Sequence, residues 1–303
     1  MGKKGKLNRI TSLRYIFSVL LVFAFVSSSF ASQVSTIGHK LEALEKIKGK
    51  FTFAVVGDNR SGDDTYKRII GVIMGRKPDF IVNVGDLITI PGSLSGWKRF
   101  WELSAPITVP YFFTVGNHDV GNRKSEEIYR EQVDLPGNEL YYSFVCGNSL
   151  FIVLDSSVIG QERKITGKQF DWLESLLETT EKRHRFVFVH HPLYVDMLSL
   201  TRSLAGHPGE RNRLRDLLVR HKVGAVFTGH LHLYEKKSVS GLTQIITGGG
   251  GAPLLTDETS GGFFHFILVT VDGDTVTGKV IDLDGNVREE FDLNTAVSPE
   301  TSR

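Results

Sequence analysis

The sequence predicts an α/β protein in which two β-sheets pack face to face and helices lie on the outside. Three observations predict this fold class. Short apolar runs alternate with helical patterns in the first part of the chain, a hairpin signal at Gly147-Asn148 interrupts the alternation, and the last part is rich in strand-like segments. A single parallel sheet would not need this C-terminal succession of strands, so we expect two sheets.

The first half of the domain is predicted to alternate strands with helices. Runs of Val, Ile and Phe that stop near a glycine are typical of buried strands. Between these runs, apolar residues recur at the spacing that places them on one face of a helix. The predicted elements are strand 51–56, helix 63–76, strand 80–84, helix 94–103, strand 111–115 and helix 125–133.

The second half begins with a hairpin and ends in a β-rich region. Gly147-Asn148 is a tight-turn signal, and Asp272-Gly273 and Asp284-Gly285 are turn signals between the last strands. The predicted elements are strands 141–146 and 150–154, helix 167–180, strand 185–189, helix 210–221, and strands 223–227, 244–247, 263–271, 275–282 and 287–293.

Residues 1–31 have the pattern of a secretory signal peptide. Five basic residues accompany the start of the apolar run Tyr15–Val26, and Ser29-Phe30-Ala31 supplies the small residues that a signal peptidase reads. This run is short for a membrane span, which needs ~20 residues, and an uncleaved N-terminal anchor is the alternative. We therefore predict an exported protein, periplasmic or secreted, that meets a membrane only through this segment.

We interpret 32–50 as a lead-in segment, 51–295 as one domain and 296–303 as a tail.

Charge and cysteine content narrow the classes of function that this domain can have. Without the first 31 residues the formal net charge falls from +2 to −3, and no basic stripe interleaved with aromatic residues follows. The sequence therefore predicts no nucleic-acid-binding surface. Cys146 is the one cysteine of the chain, so there is no internal disulfide, and we expect it to be buried.

Polar side chains follow five apolar runs at the points where the predicted strands end. In open α/β sheets, ligands bind at the carboxyl ends of the strands. Carboxylate, amide and imidazole groups gathered at one rim indicate a metal site, with two ions. The clusters are Gly57-Asp58-Asn59-Arg60, Gly85-Asp86, Gly116-Asn117-His118-Asp119, His190-His191-Pro192 and Gly229-His230-Leu231-His232.

The candidate ligands divide between two metal positions, which in such centres lie about 3.5–4 Å apart. We expect Asp86 to bridge the two ions, because a carboxylate has two oxygens that can each bind one ion. The remaining candidates are Asp58 and His232 for the first ion, and Asn117, His190 and His230 for the second.

His118 is expected to act on the substrate, and Asp119 is expected to support it. His118 directly follows Asn117 and is poorly placed to ligate the same ion, so we expect it above the site, where it protonates the leaving oxygen or stabilises charge. Asp119 would orient His118. A water held between the ions, its pKa lowered toward neutrality, would be the nucleophile.

The ordered series Gly-Asp, Gly-Asp, Gly-Asn-His-Asp, His-x-Pro and Gly-His-Leu-His closely resembles that of the calcineurin-like metallophosphoesterase superfamily, which includes purple acid phosphatases, phosphodiesterases and nucleotidases. The resemblance spans about residues 51–252. It implies a four-layer αββα sandwich with two mixed sheets, and a dinuclear Mn, Fe or Zn centre that hydrolyses phosphate esters. The His-x-Pro pattern makes His190 the ligand and leaves His191 as a pocket wall or a support for the ligands.

The first cluster departs from the family pattern. Members usually carry Asp-x-His there, and Arg60 stands where that histidine would be. Purple acid phosphatases instead have a tyrosine three residues after the first aspartate, where this chain has Ser61. The first ion would then lack a protein ligand or take one from Asp63 or Asp64. Arg60 would alternatively bind the substrate phosphate, which its planar donors suit.

These patterns predict an exported, metal-dependent phosphoesterase that acts on a small phosphorylated substrate, either a monoester or a diester. The alternative is a non-catalytic or weakly active binding protein on the same scaffold, in which Arg60 impairs the first metal site.

Overall fold

The computed structural model describes residues 36–196 and 201–293. The predicted signal peptide and the predicted C-terminal tail lie outside these residues. Within them the chain forms six α-helices and twelve strands, which are arranged as two six-stranded sheets. None of the described helices is long and apolar enough to cross a membrane.

The elements follow the predicted order, with shifts of a few residues at their ends. They are α1 Ile37–Glu45, β1 Phe51–Val56, α2 Asp63–Gly75, β2 Phe80–Asn83, α3 Leu94–Ser104, β3 Tyr111–Phe113, α4 Arg123–Gln132, β4 Tyr142–Cys146, β5 Ser149–Leu154, α5 Gly167–Thr179, β6 His184–Val189, α6 Pro208–Arg220, β7 Ala225–Thr228, β8 Tyr234–Val239, β9 Leu242–Thr247, β10 His265–Asp272, β11 Thr275–Asp282 and β12 Val287–Asp292.

Both sheets are mixed. The first has the strand order β12-β11-β10-β1-β2-β3, in which β1, β2 and β3 are parallel and β10 runs antiparallel to β1. The second has the order β4-β5-β6-β7-β9-β8, with four parallel strands between two antiparallel edge strands. The predicted fold class is confirmed, and the parallel strands bring their carboxyl ends to one rim.

Phenylalanine side chains fill the space between the two sheets. Phe53 on β1 stacks on Phe80 of β2, with ring centroids 5.3 Å apart. From the second sheet, Phe151 on β5 meets Phe53 edge-on at 5.1 Å, and Phe186 on β6 lies 5.4 Å from it. Such aromatic pairs contribute about 0.5–1.5 kcal/mol each beyond the burial of their area. This packing sets the position of one sheet relative to the other.

Aliphatic side chains attach helices to the outer face of the second sheet. Ile152 and Leu154 of β5 pack in one apolar cluster with Leu173 of α5 and Leu214 of α6. Phe151 and Val153, which alternate with these two residues along β5, belong instead to the cluster that contains the inter-sheet phenylalanines. The division follows from the strand geometry, because successive side chains point to opposite faces.

Two elements were not predicted. Helix α1 lies within the lead-in segment, where the Ile37 N–H donates to Asp134 Oδ2 at 2.8 Å and Lys40 Nζ donates to the Asp134 carbonyl at 2.7 Å. Burial lowers the pKa of Lys40 to about 8. Strand β8 has the polar sequence Tyr-Glu-Lys-Lys-Ser-Val because it lies at an edge of the second sheet and is only partly buried. Neither element carries a strong local pattern.

His265 is predicted to make the fold sensitive to acid. It is fully buried at the start of β10, donates from Nδ1 to the Phe263 carbonyl at 2.8 Å, and burial lowers its pKa to about 4. The unfolded chain binds this proton near pH 6.5, so stability is present above that pH and is lost as the pH falls toward 4. The loss from this residue is on the order of 3 kcal/mol.

The replacement His265→Phe removes this proton-linked loss. We expect the free energy of unfolding, measured by urea denaturation, to fall less between pH 6.5 and pH 4.5 in the variant than in the wild-type protein. An equal decrease in both proteins would contradict the assignment, whatever their relative stability at pH 7.

Candidate metal centre

Both sheets contribute to a group of polar side chains at one rim. The loops after β1, β2 and β3 of the first sheet carry carboxylate and amide groups, and the loops after β6 and β7 of the second sheet carry imidazoles. Face-to-face packing is therefore required to bring the two sets together. The residues gathered there are Asp58, Asp86, Asn117, His190, His230 and His232.

Unusual backbone conformations turn the chain sharply at three of these positions. Asp58, Asp86 and His230 have φ angles of 58°, 59° and 68°. Such left-handed conformations cost a non-glycine residue on the order of 1 kcal/mol or more and concentrate at functional sites. Gly116 allows the next loop to approach closely, because a Cβ atom there would overlap the backbone nitrogen of Asp86. The turns direct neighbouring loops toward the same point.

Four acceptor groups, which we call the acceptor cluster, converge beside the second sheet: the side chains of Asp86, Asn117, His190 and His230. His190 Nδ1 donates to the Val84 carbonyl at 2.8 Å, so Nε2 presents its lone pair. This Nε2 atom lies 3.2 Å from Asn117 Oδ1 and 3.3 Å from Asp86 Oδ1. His230 Nδ1 lies 2.9 Å from the same Asn117 oxygen.

The acceptor cluster fits a metal ion. The unprotonated Nε2 of His190 and the oxygens of Asn117 and Asp86 repel one another at these distances unless a cation lies among them. Burial, followed by the nearby His190, lowers the pKa of His230 to about 3, and burial also lowers the pKa of His190. Both rings are therefore neutral near pH 7, the state that binds metal. Carboxylate, amide and imidazole donors suit Mn, Fe and Zn alike.

Asp58 and His232 lie beside the acceptor cluster. Asp58 is fully buried, and its two oxygens accept the backbone N–H of His230 at 3.0 and 2.9 Å. His232 donates from Nδ1 to the Pro253 carbonyl at 2.7 Å and places Nε2 3.6 Å from Asp58 Oδ1. Sequence reasoning placed these two residues together, and the structure brings them together.

Two buried carboxylates at this centre require positive charge. Potential ligand atoms of Asp58, Asp86 and His190 all lie within 4.8 Å of one another. Burial and then the charge of Asp86 raise the pKa of Asp58 well above its ordinary value. Against the effect of burial, His190 and His118 hold the pKa of Asp86 below its ordinary value. A bound cation would favour the ionised form of both carboxyl groups.

Arg60 reaches the carboxylate that was predicted to bridge two ions. Its Nε donates to Asp86 Oδ2 at 3.1 Å, and its Nη2 lies 3.5 Å from His232 Nε2. The Arg60 side chain is 17% exposed, and part of it lines the cavity at the rim. Asp63, one of the substitute ligands considered for the first ion, pairs instead with Arg99 at 2.6 Å.

His118 is positioned by main-chain groups at the wall of the cavity. Its Nδ1 donates to the Thr89 carbonyl at 2.7 Å, and its backbone N–H donates to Asp86 Oδ1 at 3.0 Å. With Nδ1 engaged, Nε2 is the ring nitrogen that can act on a molecule in the cavity, which His118 lines. This arrangement is compatible with the predicted role of His118 as a proton donor.

The expectation that Asp119 orients the His118 ring is wrong, because Thr89 holds that ring. Asp119 is fully buried, and burial followed by the charge of Asp86 raises its pKa to about 8. It ties together the loops after β2 and β3 and so holds Asp86 in place. Its two oxygens accept four backbone N–H groups at 2.8–3.2 Å, those of Asp86, Leu87, Ile88 and Gly116.

Sequence reasoning missed Thr89 and Ser156. Thr89 acts through its carbonyl, a group that every residue has, so no side-chain signal could have revealed it. Ser156 follows the end of β5, and its Oγ lies 2.8 Å from His191 Nδ1. The rule that polar residues follow strand ends could have found it. His191 has ring nitrogens near those of His190 and His230, within 4.8 Å, and lines the cavity as predicted.

A cavity of about 660 Å³ opens at this rim. Asp86, Asn117 and His230 of the acceptor cluster contribute to its wall, as does His118. Two further arginines, Arg163 and Arg202, line it as well, together with the apolar side chains of Ile159 and Leu255. Glu162 lines the cavity too, but the arginines of the lining outnumber its acidic residues, Asp86 and Glu162, so a small anionic molecule with an apolar part would match it.

The role of Asp119 predicts a loss of metal affinity in Asp119→Asn. The variant directs an NH₂ group at backbone N–H donors, which displaces the Asp86 loop. We expect Mn²⁺ affinity, measured by calorimetric titration, to fall about 10–100-fold.

Asp155→Asn is the matched control for this prediction. Asp155 is also a buried carboxylate at a strand end, but it accepts the Ser157 N–H at 2.6 Å and does not belong to the acceptor cluster. Its replacement should leave Mn²⁺ affinity within about twofold of wild type. An equal loss of affinity in both variants would rule out a specific role for Asp119.

Comparison with known proteins gives two kinds of relatives. In sequence, the serine/threonine-protein phosphatase CPPED1 of Rattus norvegicus is 30% identical over 200 residues, which are 60% of this chain and 62% of that protein. The probable glycerophosphodiester phosphodiesterase GpdQ of Arcobacter nitrofigilis is 28% identical over 207 residues, 62% of this chain and 68% of the relative. The chain thus spans about three fifths of the CPPED1 sequence that it matches.

Solved structures share the fold at lower identity. The purple acid phosphatase PPD1 from yellow lupin (Lupinus luteus) superimposes with a TM-score of 0.67 at 19% identity, over 81% of this chain and 54% of that one.

The model of the calcineurin-like phosphoesterase family matches residues 51–234. Together with the strand-end motifs and the αββα sandwich, this match shows that the chain belongs to the calcineurin-like phosphoesterase family.

Proposed function

We propose that this protein is an exported, metal-dependent phosphoesterase that hydrolyses a small phosphate monoester or diester. The observation that carries the proposal is the position of the acceptor cluster. Its carboxylate, amide and imidazole groups converge on one point in the wall of a cavity that also contains His118 and Arg60. Hydrolysis of a phosphate ester needs these parts: a cation site, a proton donor and positive charge for the phosphoryl oxygens.

A divalent ion held by the acceptor cluster would polarise a phosphoryl oxygen and lower the pKa of a nearby water. The protein supplies the remaining functions. His118, held through Nδ1 by the Thr89 carbonyl, donates a proton from Nε2 to the leaving oxygen. Arg60 offers N–H groups to the oxygens of the phosphoryl group, and its pairing with Asp86 keeps it in place. Asp119 holds the Asp86 loop rigid through four backbone hydrogen bonds.

The rest of the cavity selects the substituent of the ester. Arg163 and Arg202 favour a substrate with a further anionic group, and Ile159 and Leu255 favour one with an apolar portion. The names of the relatives support both ester classes, since one is a protein phosphatase and the other a probable phosphodiesterase. Export is supported by the basic and apolar pattern of residues 1–31.

Turnover of generic aryl phosphates tests the proposed activity. With Mn²⁺, Fe²⁺ or Zn²⁺ present, the purified protein is expected to hydrolyse 4-nitrophenyl phosphate, bis(4-nitrophenyl) phosphate or both, as followed by release of 4-nitrophenol. Asp86→Asn should abolish turnover together with metal binding. A wild-type protein that binds metal yet hydrolyses neither ester would favour the alternative of a phosphate-binding protein on this scaffold, and phosphate binding in calorimetry would then identify it.

His118→Ala should lose rate while keeping its metal. We expect kcat for phenyl phosphate to fall on the order of 10²-fold, as for loss of a general acid. The loss should be smaller for 4-nitrophenyl phosphate, because its leaving group needs less protonation. The matched control is His221→Ala at the end of α6, a histidine outside the cavity, which should retain full activity. Loss of metal from His118→Ala would instead make His118 a ligand.

A further inference from the structure

The two metal positions expected from the sequence differ in what surrounds them. The first position would depend on Asp58, the second oxygen of Asp86 and Nε2 of His232. Arg60 already faces two of these three groups: its Nε donates to Asp86 Oδ2 at 3.1 Å, and its Nη2 lies 3.5 Å from His232 Nε2. The donor set at this position therefore does not fit a metal ion while Arg60 stays where it is.

Arginine cannot serve as a replacement ligand. Its guanidinium stays protonated at every physiological pH and has no lone pair to offer a metal. It presents a positive charge at the point where a cation would have to bind. Histidine, which usually occupies this place in the motif, would do the opposite and add a donor atom.

The loop around Arg60 is fastened on both sides of that residue. The Arg60 N–H donates to the Asp86 carbonyl at 3.3 Å. On one side Asn59 Nδ2 donates to the Leu87 carbonyl at 3.0 Å, and on the other Ser61 Oγ lies 2.9 Å from Thr89 Oγ1. The first-cluster loop is thus attached to the loop that carries Asp86, so the guanidinium is held against this carboxylate.

We propose that the Arg60 guanidinium takes the place of the first cation and that the centre binds one metal ion, at the acceptor cluster. The proposal rests on the proposed function. Arg60 neutralises Asp86 as the first ion would, and its N–H groups that do not face Asp86 or His232 can bind a phosphoryl oxygen. A metal ion and the fixed side chain of Arg60 then each supply positive charge to the substrate.

Metal stoichiometry tests this inference directly. The wild-type protein, titrated with Mn²⁺ and measured by elemental analysis and electron paramagnetic resonance, is expected to bind one ion per chain with the signal of an isolated Mn²⁺. A second ion should bind on the order of 10³-fold more weakly or not at all, because of repulsion by a unit charge about 4 Å away. Arg60→His should bind two ions with comparable affinity and show the signal of a coupled pair.

Three further variants test whether the charge at position 60, an added ligand side chain or a change in folding controls the number of ions bound. Arg60→Lys keeps the positive charge and should bind one ion. Arg60→Leu removes the charge without adding a ligand atom, and its second ion should bind more tightly than in the wild-type protein. Arg202→His adds a histidine to the wall of the same cavity from an exposed position and should bind one ion. Two equivalent ions in the wild-type protein, or one ion in both Arg60→His and Arg60→Leu, would overturn the inference.

Activity assays on the same samples distinguish this inference from the proposed function. One bound ion with hydrolysis of an aryl phosphate supports both. Two bound ions with hydrolysis would overturn the role of Arg60 and leave the proposed function intact. One bound ion without hydrolysis of either ester would leave the role of Arg60 intact and contradict the proposed function.

Discussion

The two buried carboxylates of Asp58 and Asp86 impose the main physical constraint on this structure. A buried, unpaired carboxylate costs several kcal/mol, and two that lie close together also repel each other. N–H donors and positive charge on the surrounding groups offset this cost. The backbone N–H of His230 donates to Asp58, that of His118 donates to Asp86, and Arg60 pairs with Asp86. The acceptor cluster adds more lone pairs to the same centre, which is why it suits a cation.

The centre needs both sheets of the sandwich, because each sheet supplies different side chains. The first sheet supplies carboxylates and an amide, and the second supplies imidazoles. Stacked and edge-on phenylalanines such as Phe53 and Phe151 hold the sheets together and so set the distance across the rim. Several of these loops then turn at once through a left-handed residue or a glycine, as at Asp86 and Gly116. Packing, backbone geometry and the placement of charge therefore depend on one another.

Membership of the calcineurin-like phosphoesterase family explains the donor set, and Arg60 distinguishes this chain within the pattern that its sequence resembles. An arginine next to a carboxylate supplies charge without a ligand atom, so the chemistry of the site depends on whether its guanidinium or a metal ion faces Asp86. Under the proposed function, the arginines and apolar residues on the rest of the cavity wall would select the substrate. Under the two proposals, changes at Arg60 would address metal content and changes at Arg163 would address substrate choice.

The sequence by itself determined most of the elements and the candidate ligands, because apolar periodicity and polar strand ends are local patterns. It predicted nearly every strand and helix and the six side chains that meet at the rim. Only the tertiary structure decided which groups those side chains contact. Arg60 and His232 meet across 172 residues of sequence, the Thr89 carbonyl rather than Asp119 holds His118, and Asp134 holds α1. Such contacts are set by how loops fold back on one another, and local residue preferences carry no record of that geometry.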